Sequence, residues 1–119
     1  MNRRIYLDPD VDLHTNAFVQ VIIEFRISPA HVAAAADPFL SLEQAEEQVE
    51  QSHTEFQREL ATVLAGNQYP YTIMHLYKNS LNGAAMEIQG LAIQKLLSSR
   101  VIGAIYPNRE MRIPESPIM

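Results

Sequence analysis

The sequence YTIMHLYKNSLNGAAMEI, residues 71–88, predicts two neighbouring β-strands joined by a tight reversal. Residues 71–78 are rich in β-branched and aromatic side chains, which favour extended backbone. Asn82-Gly83 is the dipeptide most typical of a two-residue hairpin turn, and residues 84–88 predict the returning strand. The middle of the chain is therefore expected to form an antiparallel strand pair.

The sequence on either side predicts four further elements. Residues 17–25 alternate as a strand does, with β-branched residues in abundance. After an Ala-rich connection, a long helix is expected to begin at Ser41, where Ser41 and Gln44 form a capping pattern, and to end at Gly66 in the left-handed conformation. Residues 90–100 predict a short helix and residues 101–106 a last strand, which Pro107 stops.

The order strand, helix, strand, strand, helix, strand predicts an α+β domain. It is the ferredoxin-like βαββαβ arrangement, a four-stranded antiparallel sheet with two helices on one face and a bare opposite face. We expect residues 1–16 to be a flexible N-terminal arm, residues 17–109 to be the domain, and residues 110–119 to be an extended C-terminal tail.

Strand and helix periodicity indicates which side chains face the core. The long helix is expected to bury Leu42, Ala45, Val49, Phe56, Leu60, Val63 and Leu64. The short helix is expected to bury Ala92, Ile93, Leu96 and Leu97. Strand alternation predicts Ile73, His75 and Tyr77 on one side of their strand. The bare face is expected to hold Gln20, Ile22, Glu24, Thr72, Met74, Leu76, Ala85 and Glu87.

Composition excludes several classes of partner. The 119 residues suffice for one domain. A net charge of -5 with scattered basic residues argues against nucleic acid. No apolar run approaches the roughly 20 residues that span a bilayer, so we expect no membrane partner.

The chain has no cysteine. It has no apolar stretch of about 7–15 residues behind Arg3 and Arg4, so we expect no signal peptide in it.

We find no catalytic or metal-binding pattern. The four histidines have no metal-ligand spacing, and His53 and His75 are interpreted as core or border residues. The acidic run from Asp8 lacks the Gly and Glu of a calcium loop at the required positions. No nucleophile motif or glycine-rich phosphate loop is present, so we expect neither an enzyme nor a cofactor.

Two stretches resemble a known family. They are YKNSLNGAAMEI (77–88) and KLLSSRVIGAIYPNR (95–109), supported by the strand VQVIIEF (19–25) and the Glu- and Gln-rich helix around His53. Together they resemble the propeptide of subtilisin-like serine proteases, a peptidase-inhibitor prodomain. The sequences of residues 82–84 and 106–108 are most similar to those of propeptides of large secreted bacterial subtilases of the minor extracellular protease kind.

The resemblance implies a secreted protease precursor, in which this segment assists folding of the catalytic domain and inhibits it until it is cleaved off. The partner would be the cognate subtilisin-like catalytic domain. It implies that the bare sheet face packs on two helices of the protease, with the protease-binding residues Ile22, Glu24, Met74, Leu76 and Glu87.

The resemblance also implies that the tail enters the substrate cleft through Met111, Ile113, Ile118 and Met119. Met119 is favoured for the pocket before the scissile bond, with Ile113 or Pro114 as the alternative for a shorter spacing. Asn108 stands where well-known relatives carry an acidic residue that caps protease helices, and Glu87 or Glu110 could take that role instead.

Other functions stay open at this point. A free-standing inhibitor of the same fold is a close variant. A free-standing ferredoxin-like regulatory or small-ligand-binding module is the alternative from another class, because the fold alone allows it. An enzyme of this fold is the third possibility, although no acid and base pair stands out.

Overall fold

The computed structural model describes residues 4–108 of the chain. Over that range the strands are β1 (Tyr6–Leu7), β2 (Phe18–Phe25), β3 (Tyr71–Tyr77), β4 (Gly83–Gln89) and β5 (Ile102–Pro107). The helices are α1 (Ala30–Ala36) and α2 (Leu42–Val63), with 3₁₀ segments at Ala65–Asn67 and Gly90–Ser98. The domain is therefore of the α+β class, as predicted.

The strands within residues 4–108 form one five-stranded sheet in the order β1-β5-β2-β4-β3. β2 pairs antiparallel with both β4 and β5, and β3 pairs antiparallel with β4. β1 joins the outer edge of β5 and runs parallel to it. The expectation of a purely antiparallel, four-stranded sheet holds for β2 to β5 but misses β1, so the whole sheet is mixed.

The N-terminal segment is attached to the domain from residue 5 onward. The amide of Asp8 donates to the carbonyl of Ile105 at 3.0 Å, and that of Leu91 donates to Thr15 at 3.0 Å. Val11 is buried in the core, while Ile5 and Leu7 pack against it. We expected residues 1–16 to be a flexible arm, and the described part instead contributes a strand and apolar contacts.

The core lies between one face of the sheet and the helices. α2 buries Val49, Phe56 and Leu60, as predicted. The second predicted helix is a 3₁₀ helix, in which residues three apart align, so Ile93 and Leu96 are buried and Leu97 is 37% exposed. The prediction that Leu97 faces inward is therefore wrong. Leu42, also expected inside, is exposed in the first turn of α2.

The long helix begins as predicted but ends differently. Ser41 and Gln44 form a reciprocal capping box, with the Gln44 amide donating to Ser41 Oγ at 3.0 Å. At the other end the amide of Tyr69 donates to the carbonyl of Leu64 at 2.8 Å, and Gln68 takes the left-handed conformation with φ of 65°. The prediction that Gly66 does so is wrong, because the 3₁₀ segment Ala65–Asn67 delays the reversal by two residues.

The connection before α2 contains a short helix of its own. α1 has the sequence AHVAAAA, and alanine has the highest helix propensity of all residues. None of its residues is buried. We predicted an irregular connection here, and α1 instead lies against α2 at the surface.

The β3–β4 hairpin is closed by residues 78–82, because Tyr77 pairs with Gly83. The predicted two-residue turn at Asn82-Gly83 is therefore wrong. Gly83 lies in β4, where a Cβ atom would overlap the carbonyl oxygen of Ile23. Asn82 is 1% exposed, and its side chain is hydrogen-bonded to α2 and to the carbonyl of Ile27, just after β2. Close backbone packing therefore explains the glycine at position 83, and buried hydrogen bonds explain the asparagine at position 82.

Candidate functional site

The sheet has a face that the helices leave uncovered. Val21 and Ile23 on β2 point into the core, so the residues alternating with them point the other way. Cross-strand pairing extends that assignment to the other strands. We call this surface the open face, and it consists of Tyr6, Phe18, Gln20, Ile22, Glu24, Thr72, His75, Tyr77, Ala85, Glu87, Gln89, Ala104 and Tyr106.

Ile22 lies at the centre of the open face. Its neighbours across the sheet are Ala85 on β4 and Tyr106 on β5. Ala85 is only 2% exposed, whereas Ile22 and Tyr106 are half-buried. A small, shallow apolar surface is therefore surrounded by longer side chains, and its shape suits contact with another protein.

Two carboxylates lie beside Ile22, and both are on the face that the sequence predicts. Glu24 pairs across the sheet with Gly83 and Ala104, and Glu87 lies between Gln20 and Thr72. Within residues 4–108 neither carboxylate forms an ion pair, and the open face has no Lys or Arg. The residues that define the open face therefore carry negative charge, with Arg26 at its border beside Gly103, and the carboxylates favour a partner surface with positive potential.

Tyr106 interacts with one of these carboxylates. Its hydroxyl donates to Glu24 Oε1 at 3.4 Å. Partial burial raises the pKa of Tyr106, and the nearby Glu24 charge and hydrogen bond raise it further. Tyr106 therefore stays neutral, and its hydroxyl can donate a hydrogen bond to Glu24 throughout the physiological range.

The predicted positions of Met74 and Leu76 are changed by a β-bulge. The register of β3 against β4 shifts between Ile73 and His75, so Met74 is the extra residue. Beyond it His75 pairs with Ala85, and Leu76 pairs with the fully buried Ala84. Leu76 is therefore not on the open face as we expected.

His75 and Tyr77 take the places beyond the bulge. Their ring centroids are 4.5 Å apart, as expected of neighbours on one face. His75 is exposed, which contradicts its interpretation as a core or border residue. The extra residue is the physical reason, because it reverses the alternation of every side chain that follows.

Asn108 ends the described chain beside the start of β2. Its amide donates to the carbonyl of Gln20 at 2.9 Å, which extends the β5–β2 ladder by one bond. The tail residues that the sequence points to, Met111, Ile113, Ile118 and Met119, and the alternative cap Glu110 lie outside the described residues. The described chain therefore ends at the Gln20 end of the open face.

Two aromatic residues of the open face were missed by the sequence analysis. Tyr6 is 53% exposed and Phe18 is 50% exposed. Phe18 extends the alternation of β2 by one position toward the N-terminus, and that pattern could have identified it. The signal for Tyr6 is the alternation Ile5-Tyr6-Leu7, which is too short to stand out before the structure shows its pairing.

His53, interpreted as a core or border histidine, is buried against the hairpin. Its Nε2 is 2.8 Å from Asn82 Oδ1 and 3.1 Å from the carbonyl oxygen of Tyr77. Both partners accept, so Nε2 carries the proton. Asn82 in turn donates to Ser52 Oγ and to the carbonyl oxygen of Ile27, each at 3.0 Å. The role of His53 here is structural, as a link between α2 and the hairpin.

The rest of the described chain offers no competing chemical centre. An open cleft between α1 and α2 is lined in part by His31, Glu46 and Lys78, and the ammonium of Lys78 is 2.9 Å from a carboxylate oxygen of Glu50. No group of metal-ligating side chains is found in residues 4–108. Nor is any helix in that range long and apolar enough to cross a membrane.

A small α+β domain with an open, acidic sheet face has the geometry of a protein-binding module. The model of the peptidase inhibitor I9 family matches residues 5–114, and the chain belongs to that family. This match supports the subtilisin-propeptide resemblance and implies an inhibitory role with a protease as partner. Neither the curated proteins nor the solved structures include a match to the chain.

Proposed function

We propose that this chain is the propeptide of a secreted subtilisin-like serine protease, and that it inhibits the catalytic domain and assists its folding. It acts by binding alone and contributes no catalytic group. The observation that carries the proposal is the open face, an exposed apolar and acidic surface on a domain of the peptidase inhibitor I9 family.

The open face is the proposed contact with the body of the protease. Ile22, with Ala85 beside it, supplies the apolar centre. Glu24 and Glu87 lie on either side of Ile22 along the sheet and lack a basic partner within residues 4–108. Carboxylates of this kind stabilise the positive ends of helix dipoles. We therefore propose that Glu87 caps a protease helix, a role for which the resemblance also points to Asn108, which can accept a hydrogen bond but carries no charge.

The residues after β5 are the proposed contact with the substrate cleft. Asn108 continues the β5–β2 ladder through its hydrogen bond to Gln20. Pro114 and Pro117 disfavour helix in the sequence that follows. An extended segment can add a strand to an edge in the protease and place apolar side chains in pockets, with Met119 preferred before the scissile bond.

The kind of subtilase precursor is proposed from two short sequence motifs. Asn82-Gly83-Ala84 and Tyr106-Pro107-Asn108 resemble propeptides of large secreted bacterial subtilases of the minor extracellular protease kind. We therefore propose a secreted, bacterial type of precursor as the source of this segment.

Titration of a purified subtilisin with the full chain tests the proposal. Hydrolysis of a chromogenic peptide should fall as the chain is added, reach near-complete inhibition, and show competition with substrate. A chain that is cut rapidly without inhibiting, or that leaves hydrolysis unchanged at micromolar concentration against several subtilisin-like proteases, would contradict the inhibitory role.

Refolding tests the chaperone role separately. An acid- or denaturant-unfolded subtilisin catalytic domain should regain more activity when the chain is present during dilution and then removed by proteolysis. Bovine serum albumin at equal mass is the control for non-specific protection. Equal recovery in both samples would limit the function to inhibition.

A further inference from the structure

Strand β1 presents side chains to both faces of the sheet. Ile5 and Leu7 pack against the core, which holds the strand in place. Tyr6 points to the other side, where the register aligns it with Ala104 on β5 and, through Ala104, with Glu24 on β2. The N-terminal strand therefore adds a fifth row to the open face, and Tyr6 is the side chain of that row.

The Tyr6 ring is held at one edge of the open face by a neighbouring aromatic ring. Its centroid lies 5.7 Å from that of Tyr106, with the ring planes inclined by 44°. Tyr106 is in turn held by its hydrogen bond to Glu24. Tyr6 is thus positioned from both sides, by its strand pairing and by this ring contact, although 53% of it stays exposed.

We propose that Tyr6 is an anchor residue for the protease catalytic domain, so that β1 makes the binding face five strands wide. This rests on the proposed function. An exposed tyrosine gives a large contact area with little loss of conformational freedom, and its hydroxyl can still form a hydrogen bond. Its own strand does not need the ring, because Ile5 and Leu7 provide the core contacts.

Continuity with the open face favours the protease as the occupant of this edge, because β1 and β5 belong to the same sheet. Asp8 lies close enough to Tyr106 to raise its pKa, in the same sense as Glu24. The edge therefore combines the rings of Tyr6 and Tyr106 with the carboxylates of Glu24 and Asp8, and the exposed Arg4 two residues before Tyr6 adds one positive charge at its border. It suits a partner surface with an apolar groove bordered by positive potential, and this extends the chemistry of the rest of the open face.

The test compares Ki values of the full chain and its variants against one purified subtilisin-like protease that the wild type inhibits. Tyr6→Ala should raise Ki at least tenfold, while Tyr6→Phe, which keeps the ring, should stay within about threefold of wild type. Phe39→Ala is the matched control, because Phe39 is 93% exposed and lies outside the sheet. It should leave Ki unchanged.

Two further measurements separate contact from indirect effects. Tyr6→Ala should unfold within a few degrees of wild type in a thermal melt, since the core contacts of β1 remain. In the Tyr106→Ala background, Tyr6→Ala should still weaken inhibition at least threefold. Loss of the Tyr6 effect in that background would show that Tyr6 only positions Tyr106, and would overturn the proposal.

The outcomes also separate this proposal from the proposed function. If the wild type inhibits and Tyr6→Ala has the same Ki, the anchor is refuted and the inhibitory role stands. If the wild type inhibits no subtilisin-like protease, the proposed function fails and the anchor fails with it.

Discussion

Replacing Asn82 with alanine removes three side-chain hydrogen bonds at once. Asn82 Oδ1 accepts from His53 at 2.8 Å, and Nδ2 donates to Ile27 and to Ser52, each at 3.0 Å. A hydrogen bond contributes about 0.5–1.5 kcal/mol net, and a buried group left without a partner adds to the loss. The side chain is almost fully buried, so water cannot replace these bonds without entering the core.

Some of the freed groups keep another partner, and this limits the loss. His53 Nε2 is also 3.1 Å from the carbonyl oxygen of Tyr77, and Ser52 Oγ donates to Val49 at 2.6 Å. We therefore expect Asn82→Ala to lower the free energy of unfolding by about 2–4 kcal/mol. In a domain of this size that lowers Tm by roughly 8–16 °C.

Urea unfolding followed by circular dichroism measures the change, with Asn79→Ala as the control in the same connection. Asn79 is exposed, so its replacement should stay within about 0.5 kcal/mol of wild type. Asn82→Asp should be at least as damaging as Asn82→Ala, because it directs an acceptor at the carbonyl of Ile27. A loss below about 1 kcal/mol for Asn82→Ala would refute the reasoning that these buried bonds hold the hairpin to α2.

Four other outcomes are expected. Phe56→Ala should lower the free energy of unfolding by about 3–5 kcal/mol in denaturant titrations, because the ring is fully buried. Ile22→Lys should weaken protease inhibition at least about tenfold, or about 1.4 kcal/mol, with the thermal melt nearly unchanged; equal Ki would argue against the open face. Deleting residues 111–119 should weaken inhibition by at least the same about tenfold factor and shift Tm by only a few degrees, whereas full inhibition would make the tail a linker. Glu24→Gln should lower the pKa of Tyr106, measured by NMR titration of labelled tyrosine. In the folded protein the pKa of Tyr106 lies above the ordinary 10.0, so the stability contributed by the neutral phenol is lost as the pH rises through the tyrosine range. A Tyr106 pKa that is unchanged in Glu24→Gln would contradict the contact.

Local sequence patterns predicted the elements whose physics is local. Ser41 and Gln44 are close in sequence, so their reciprocal capping could be read before any tertiary contact was known. Val49, Phe56 and Leu60 follow helical periodicity on a helix long enough to have a clear apolar side. The same holds for Ile22, Glu24 and Glu87, whose strands keep regular alternation up to those positions.

Features that depend on pairing between distant segments were not predicted. The bulge at Met74 is defined by the pairing of β3 with β4, and no residue of β3 by itself indicates a bulge. Strand β1 has two residues and gains its hydrogen bonds from β5, at the other end of the sequence. Asn82-Gly83 suggested a turn because that dipeptide is common in turns, while its actual surroundings are the side chains of α2 and the backbone of β2.

The pairing of β1 with β5 also has a consequence for the order of folding. It joins residue 6 to residue 104, so β1 has its backbone partner only after β5 has been placed in the sheet. Pairing across such a long stretch carries a high entropic cost of closure and tends to slow folding. The β2–β4 pair can form earlier, whereas the full open face is completed only when β5 has joined β2 and β1 has closed over its edge. We therefore expect the fifth row of the open face to form late in folding.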